Sequence, residues 1–338
     1  MNARRLWLKA PLAVLAEGAG GGIVVAGDRI AELVPSGGAP TAPVDETVDM
    51  SAHVVIPGLI NTHHHFYQTL TRAFPPALNR ELFPWLQALY PVWARMTPED
   101  LGLGMRVALA ELMLSGCTTT TDHHYVFPQG CEHGIDIEVA EARALGIRGV
   151  FTRGAMNLSV KDGGLPPDSV VQDEDAILAD SERLLGAHHD PAPHAMIQIA
   201  LAPCSPFSVT RALMTASAEL ARRHGARLHT HLAETHDEDA WCREAFGMRP
   251  LDYLEETGWL GADVWLAHGI HFSGEDISRL AAAGTAVTHC PCSNMIIHSG
   301  HCRVCELEAA GVTGGLGVDG SAAQDSSNLM QEVRQAFL

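Results

Sequence analysis

Positive charge is scarce in this sequence. Lys9 and Lys161 are its only lysines and the formal net charge is −18. Nucleic-acid binding draws on clustered cations along a phosphate track, so that class of partner is argued against. Long apolar runs are also missing. No stretch reaches the roughly 20 residues that a membrane helix requires. The start places Arg4 and Arg5 before Ala10–Ala16 in the manner of an export signal, but Pro11 and Glu17 interrupt it. No regular cysteine framework is present either. Eight cysteines spread over 338 residues without an export signal read as free thiols. Cys290, Cys292, Cys302 and Cys305, with His298 and His301 between them, match no standard zinc ribbon. The expectation is a cytoplasmic protein acting on a small molecule, with no nucleic acid and no membrane as partner. Oligomeric state is left open, a homo-oligomer included.

At 46% hydrophobic content the chain can bury a large core. The first fifty residues read as short strands with turns. Gly22–Ala26 and Ile30–Val34 flank Gly27-Asp28, a hairpin signal, and a Pro/Gly-rich stretch follows from Pro35 to Pro43. Apolar strands then alternate with helical segments, the pattern of a parallel sheet covered by helices. Strands are expected near 54–60, 117–122, 147–152, 195–202, 226–233, 263–268, 285–289 and 313–319. Helix ends are expected at Thr97 and Gly116, at Ser208 and Gly225, and at Ser273 with Asp276 and Gly284. Eight strands over this span describe an α/β chain built on a (β/α)8 TIM barrel. The predicted organisation is a small N-terminal β-sandwich-type domain over 1–55 and a barrel over 56–338.

In such a barrel the active site lies at the C-terminal ends of the strands. His63-His64-His65 closes strand one. By alternation His63 and His65 share one side and His64 takes the other. Strand five carries His229, His231 and Glu234, strand six ends in His268, and strand eight ends in Asp319. Four strand ends offering imidazole or carboxylate are hard to explain as core, since an unpaired charge there is costly. A catalytic zinc takes a few histidines and carboxylates and keeps a position for water. His63, His65, His231 and Asp319 fit that set, with His229 one layer behind and Glu234 as a proton carrier.

The stretches Pro57–His65, His231-Leu232-Ala233-Glu234, Ala267-His268-Gly269, His289-Cys290-Pro291 with Ser293-Asn294, and Gly317–Gly320 resemble the amidohydrolase superfamily, in its branch of aminohydrolases that deaminate heterocycles. The resemblance implies one divalent metal, zinc with iron as the alternative, held by His63, His65, His231 and Asp319. It also implies a catalytic set of Glu234, His268 and Asp319. Some members bridge two metals with a carboxylated lysine after strand four, whereas Ala202–Pro206 here contains none. Within the branch, His63–Ala73, Gly116–Tyr125, Gly163–Pro167 and Cys204–Ser208 are most similar to 8-oxoguanine deaminases. That similarity implies hydrolytic deamination of a guanine-like ring, with urate and ammonia formed from 8-oxoguanine. Asp319 would take a proton from water, Glu234 would protonate the ring nitrogen, and His268 would steady the attacking oxygen.

Gln68, Cys204 and His123 are the candidate substrate-binding residues, while Trp85 and Trp93 are expected to be packing. Triazine-type aminohydrolases or chlorohydrolases, and guanine or isoxanthopterin deaminases, are the rival enzyme readings. An inactive barrel serving as a binding module is the non-enzyme one. Members of the branch continue beyond the point aligned with Leu338, so the barrel is expected to be truncated after strand eight and the small sandwich incomplete.

Overall fold

The computed structural model describes residues 3–338, which form two compact units, one ending at Gly58 and the other Leu59–Leu338. The first contains β1 (Arg5–Lys9), β2 (Ala13–Val14), β3 (Gly22–Ala26), β4 (Arg29–Val34), β5 (Glu46–Asp49) and β6 (Val54–Val55). Four of these make a sheet in the order β4-β3-β1-β5, and β2 pairs in parallel with β6. The β3–β4 hairpin turns at Gly27-Asp28 as expected, with Gly27 at φ 62°, where a side chain would be strained.

The second unit is a closed barrel of parallel strands: β7 (Leu59–Asn61), β8 (Cys117–His124), β9 (Arg148–Ala155), β10 (Ile197–Pro203), β11 (Arg227–Leu232), β12 (Val264–His268), β13 (Ala286–His289) and β14 (Gly314–Leu316). Closure comes from β14 pairing with β7, Leu316 opposite Asn61. The helices are α1 (Leu82–Trp93), α2 (Pro98–Leu114), α3 (Gly134–Leu145), α4 (Glu174–His188), α5 (Arg211–Arg223), α6 (His236–Phe246), α7 (Pro250–Glu256), α8 (Gly274–Ala283), α9 (Pro291–Ile296), α10 (Val304–Ala309), α11 (Ser321–Gln324) and α12 (Leu329–Phe337). Among the described residues no helix is long and apolar enough to cross a membrane.

Three local expectations change. The run 54–60 is not one strand: β6 belongs to the small unit and β7 to the barrel, separated at Ile56-Pro57-Gly58, where proline offers no N–H to a ladder. Strand eight stops at Leu316 rather than 319, because Val318 N–H donates to the Asn61 side chain (2.9 Å) and Asp319 adopts φ 59°. Helix α5 is capped by Thr210, which accepts from Leu213 N–H, while Ser208 turns back to the Ser205 carbonyl. Thr97 and Ser273 form capping boxes with Asp100 and Asp276, and Gly284 closes α8 at φ 73°.

Candidate active site

His63 and His65 follow β7, and the expected alternation holds. His64 points the other way, its Nε2 2.9 Å from Ser327 Oγ, while His63 and His65 face the barrel axis with His231 from β11. Each of the three has its Nδ1 engaged. His65 Nδ1 donates to the His123 carbonyl (2.6 Å) and His231 Nδ1 to the Cys204 carbonyl (2.6 Å). His229 donates from Nδ1 to the Trp265 carbonyl (2.8 Å), so its Nε2 accepts from His63 Nδ1 (2.8 Å). All three Nε2 atoms are thereby aimed inward as donors of a lone pair.

Those atoms converge. His65 Nε2 lies 3.1 Å from His231 Nε2, and Asp319 Oδ1 lies 3.4 Å from His63 Nε2 and 3.3 Å from His65 Nε2. Buried His63 Nε2 has no hydrogen-bond partner. Lone pairs facing one another in a buried space repel unless a cation lies between them. Four tetrahedral ligands about 2.0–2.2 Å from a zinc ion are themselves about 3.3–3.6 Å apart. The arrangement therefore fits a divalent metal with nitrogen and oxygen donors.

Two carboxylates border this cluster with opposite character. Burial pushes Asp319 up, yet its interaction with His63, seconded by His65 and His268, outweighs burial and holds it well below the usual carboxylate range. Ser293 Oγ donates to its Oδ2 (2.6 Å) and Gly320 N–H to its Oδ1 (2.7 Å). Glu234 is pushed well above the usual range by burial first, then by the negative charge of Asp319 and Glu238. Glu238, itself raised to about 7 by burial, accepts the backbone N–H groups of Ala233 (3.1 Å) and Glu234 (2.9 Å). His268 Nε2 is 3.5 Å from Glu234 Oε2, and its Nδ1 accepts from the Asn294 amide (3.1 Å), which puts its proton on Nε2. Burial lowers His268 to about 3, so it is neutral. Ala233, His268 and Asp319, one at each of three strand ends, adopt φ 53°, 75° and 59°. Non-glycine residues rarely enter that region except where the surroundings hold them for function.

Above the cluster lies a small cavity of about 30 Å³, bordered by His65, His231, Glu234, His268 and Asp319. Gln68 lines it from the turn Phe66–Thr71, with a buried Oε1 that has no partner. A Cβ at position 320 would meet that oxygen at 1.8 Å, so glycine at Gly320 makes room for the amide. Cys204 also lines the cavity, its thiol pushed up to about 12 by burial and hence uncharged. His123 is set apart from the cavity wall: it stacks on His231 at 4.5 Å between centroids and donates from Nε2 to the Ala202 carbonyl (2.8 Å). Trp93 is packing, with its indole N–H on Thr71 (3.0 Å), but Trp85 lines the cavity as well as packing against Trp93. Sequence reading passed over Leu82 and Leu86, one turn apart on α1, and Tyr125 and Phe207 at the cavity wall. It also passed over Glu238, whose spacing of four from Glu234 was the available signal.

The sequence matches the Amidohydrolase family over residues 54–338. It is 58% identical to an 8-oxoguanine deaminase of Pseudomonas aeruginosa over 98% of this chain and 75% of that protein. It is 40% identical to a hydroxydechloroatrazine ethylaminohydrolase of Pseudomonas sp. (strain ADP) over 87% of this chain and 61% of the relative.

The chain belongs to the amidohydrolase family.

Its fold is shared with an atrazine chlorohydrolase of Arthrobacter aurescens solved with zinc, at TM-score 0.92 and 30% identity over 98% of this chain and 76% of that one. This amidohydrolase thus presents, in one cavity, donors for a cation, an ionised carboxylate, a protonated carboxyl and a neutral imidazole carrying a proton. Such a set can take a proton from water on one side of a ring and deliver one on the other.

Proposed function

We propose that this amidohydrolase deaminates a guanine-like heterocycle by hydrolysis, with 8-oxoguanine as the first substrate and urate and ammonia as the products. One observation carries the reading: Asp319 and Glu234 face the same cavity in opposite protonation states, one fit to receive a proton and the other to give one. The ring itself is taken from the likeness to the P. aeruginosa deaminase. His63, His65, His231 and Asp319 would hold one divalent ion, zinc first and iron as the alternative. When bound, such an ion lowers the pKa of a water ligand toward neutrality.

The chain's own groups then divide the work. Asp319 receives the proton of the attacking water, and its Oδ2, held by Ser293, keeps Oδ1 turned to His63 and His65. Glu234 donates its proton to the ring nitrogen beside the carbon under attack, so negative charge does not accumulate there. His268, neutral and protonated on Nε2, donates a hydrogen bond to the incoming oxygen. Gln68 pairs with the polar edge of the ring, and Cys204 supplies a small uncharged contact beside it. Leu82, Trp85 and Leu86 cover the ring face and exclude water from the proton transfers.

A triazine-type aminohydrolase is the second reading, favoured by the 40% identity to the ethylaminohydrolase. Metal-loaded protein assayed spectrophotometrically against 8-oxoguanine, guanine, isoxanthopterin and hydroxytriazines separates the two. The highest kcat/KM is expected for 8-oxoguanine, with ammonia released in equal amount. A tenfold preference for a triazine would overturn the substrate assignment, and no turnover on any ring would overturn the enzyme reading.

A further inference from the structure

A second group of potential ligands lies away from the cavity. On β8, alternation places His123 toward the axis and Asp122 and His124 toward the helical layer, where Glu138 projects from α3. One donor atom from each of Asp122, His124 and Glu138 lies within 4.8 Å of the others, and all three residues are wholly buried. Asp122 Oδ2, both oxygens of Glu138 and both ring nitrogens of His124 have no hydrogen-bond partner. Five polar atoms gathered in one buried group call for a partner, since buried polar groups are ordinarily hydrogen-bonded. The cation bearing on them, Arg153, directs its donors to Asp180 (2.7 Å), Gln172 (2.8 Å) and the Gly154 carbonyl instead.

A shared proton does not resolve the group. Burial raises Asp122 to about 6 and lifts Glu138 well above its usual range, and one proton between those carboxyls would satisfy one oxygen of each. It leaves His124 with no donor for its lone pair, and only the Val126 backbone bears on its N–H. A divalent ion supplies what all three lack, since two carboxylates balance its charge and an imidazole completes a mixed oxygen–nitrogen set. Alanine at Gly134 would bring its Cβ to 2.9 Å from His124 Nε2, so the first residue of α3 leaves that nitrogen room.

We propose that Asp122, His124 and Glu138 form a second cation site, in the barrel wall between β8 and α3, for one divalent first-row metal ion of zinc type. The site also reaches the active centre. Asp122 Oδ1 accepts the N–H of Phe66 (2.7 Å), the residue after His65, so an ion drawing on the other oxygen braces the segment that carries His63 and His65. Its role is structural and its ion does not meet the substrate.

Metal analysis by mass spectrometry of protein saturated with zinc and desalted tests this. Two equivalents per chain are expected for the wild type and one for Glu138→Gln, whereas His63→Asn loses the other. A wild type saturating at one equivalent, or a Glu138→Gln protein retaining two, overturns the site. Anomalous diffraction from wild-type crystals above the zinc edge gives the same decision without a variant. A peak among Asp122, His124 and Glu138 supports the proposal, and density there without anomalous signal, a buried water, overturns it.

Discussion

The rims of β11 and β14 each end in a buried carboxylate beside the same cavity, and burial has opposite outcomes at the two. At β14, Asp319 sits among three imidazoles and receives Ser293 and Gly320 as donors, so it stays ionised. At β11, Glu234 has Asp319 and Glu238 as its charged neighbours and a neutral His268 3.5 Å away, so burial and like charge favour its protonated form. Desolvation raises a carboxyl at either place, and the partners decide the sign. An acid and a base of similar chemistry are thereby separated within one cavity.

The comparison breaks most sharply at Asp319. Asp319→Asn removes both the anion and an oxygen of the donor cluster, and kcat/KM is expected to fall by at least about 10³-fold, with metal content reduced in the same preparation. Glu234→Gln keeps shape and hydrogen-bonding length while removing the transferable proton. A loss of about 10²–10⁴-fold in kcat is expected, with metal content and melting temperature unchanged; activity within a factor of three of wild type would refute the assigned role. Chelation before assay should abolish turnover in wild type, and added zinc should restore it.

The pH dependence of kcat/KM sharpens the same contrast. Asp319 must be ionised and is held below its usual range, so the acid limb should lie below about pH 4. Glu234 must be protonated and is raised, so the limb on which activity falls with rising pH should lie well above the usual glutamate range. Residual turnover in Glu234→Gln should lack that limb. A profile falling between pH 4 and 5 as pH rises would contradict the raised Glu234.

The smallest expected effects belong to positioning residues. Glu238 holds Ala233 in its left-handed conformation through two backbone N–H groups, and Gln offers one acceptor oxygen in place of two. Loss of one such hydrogen bond costs about 1–1.5 kcal/mol, so Glu238→Gln is expected to lower kcat about tenfold with KM little changed. Gly320→Ala should do the reverse, raising KM several-fold by displacing the Gln68 amide while leaving the metal in place.

Much of this site was legible from local pattern. Period-two alternation placed His63 and His65 together against His64 and put His229 and His231 on one face, and nearness to the C-terminal rim ranked His231 ahead of His229, which proves to stand behind His63. Residues at four strand ends could be gathered because a parallel barrel puts all of its strand ends on one rim. His123 was harder, since alternation gives its face but not its depth, and it stacks beneath His231 rather than entering the cavity. Trp85 was illegible for a related reason: an aromatic that packs and one that lines a cavity share the same spacing.

The sequence by itself determined the barrel, its strand order and the residue types at its rim, because helix and strand periodicities are properties of neighbours in the chain. Tertiary structure alone decided which nitrogen of each imidazole carries a proton, which carboxyl is ionised, and that Asp122, His124 and Glu138 meet behind β8. Protonation follows from charges and carbonyls within a few ångströms, and here those partners come from distant segments, as when Asp319 meets His63 and His65 across the β14–β7 closure.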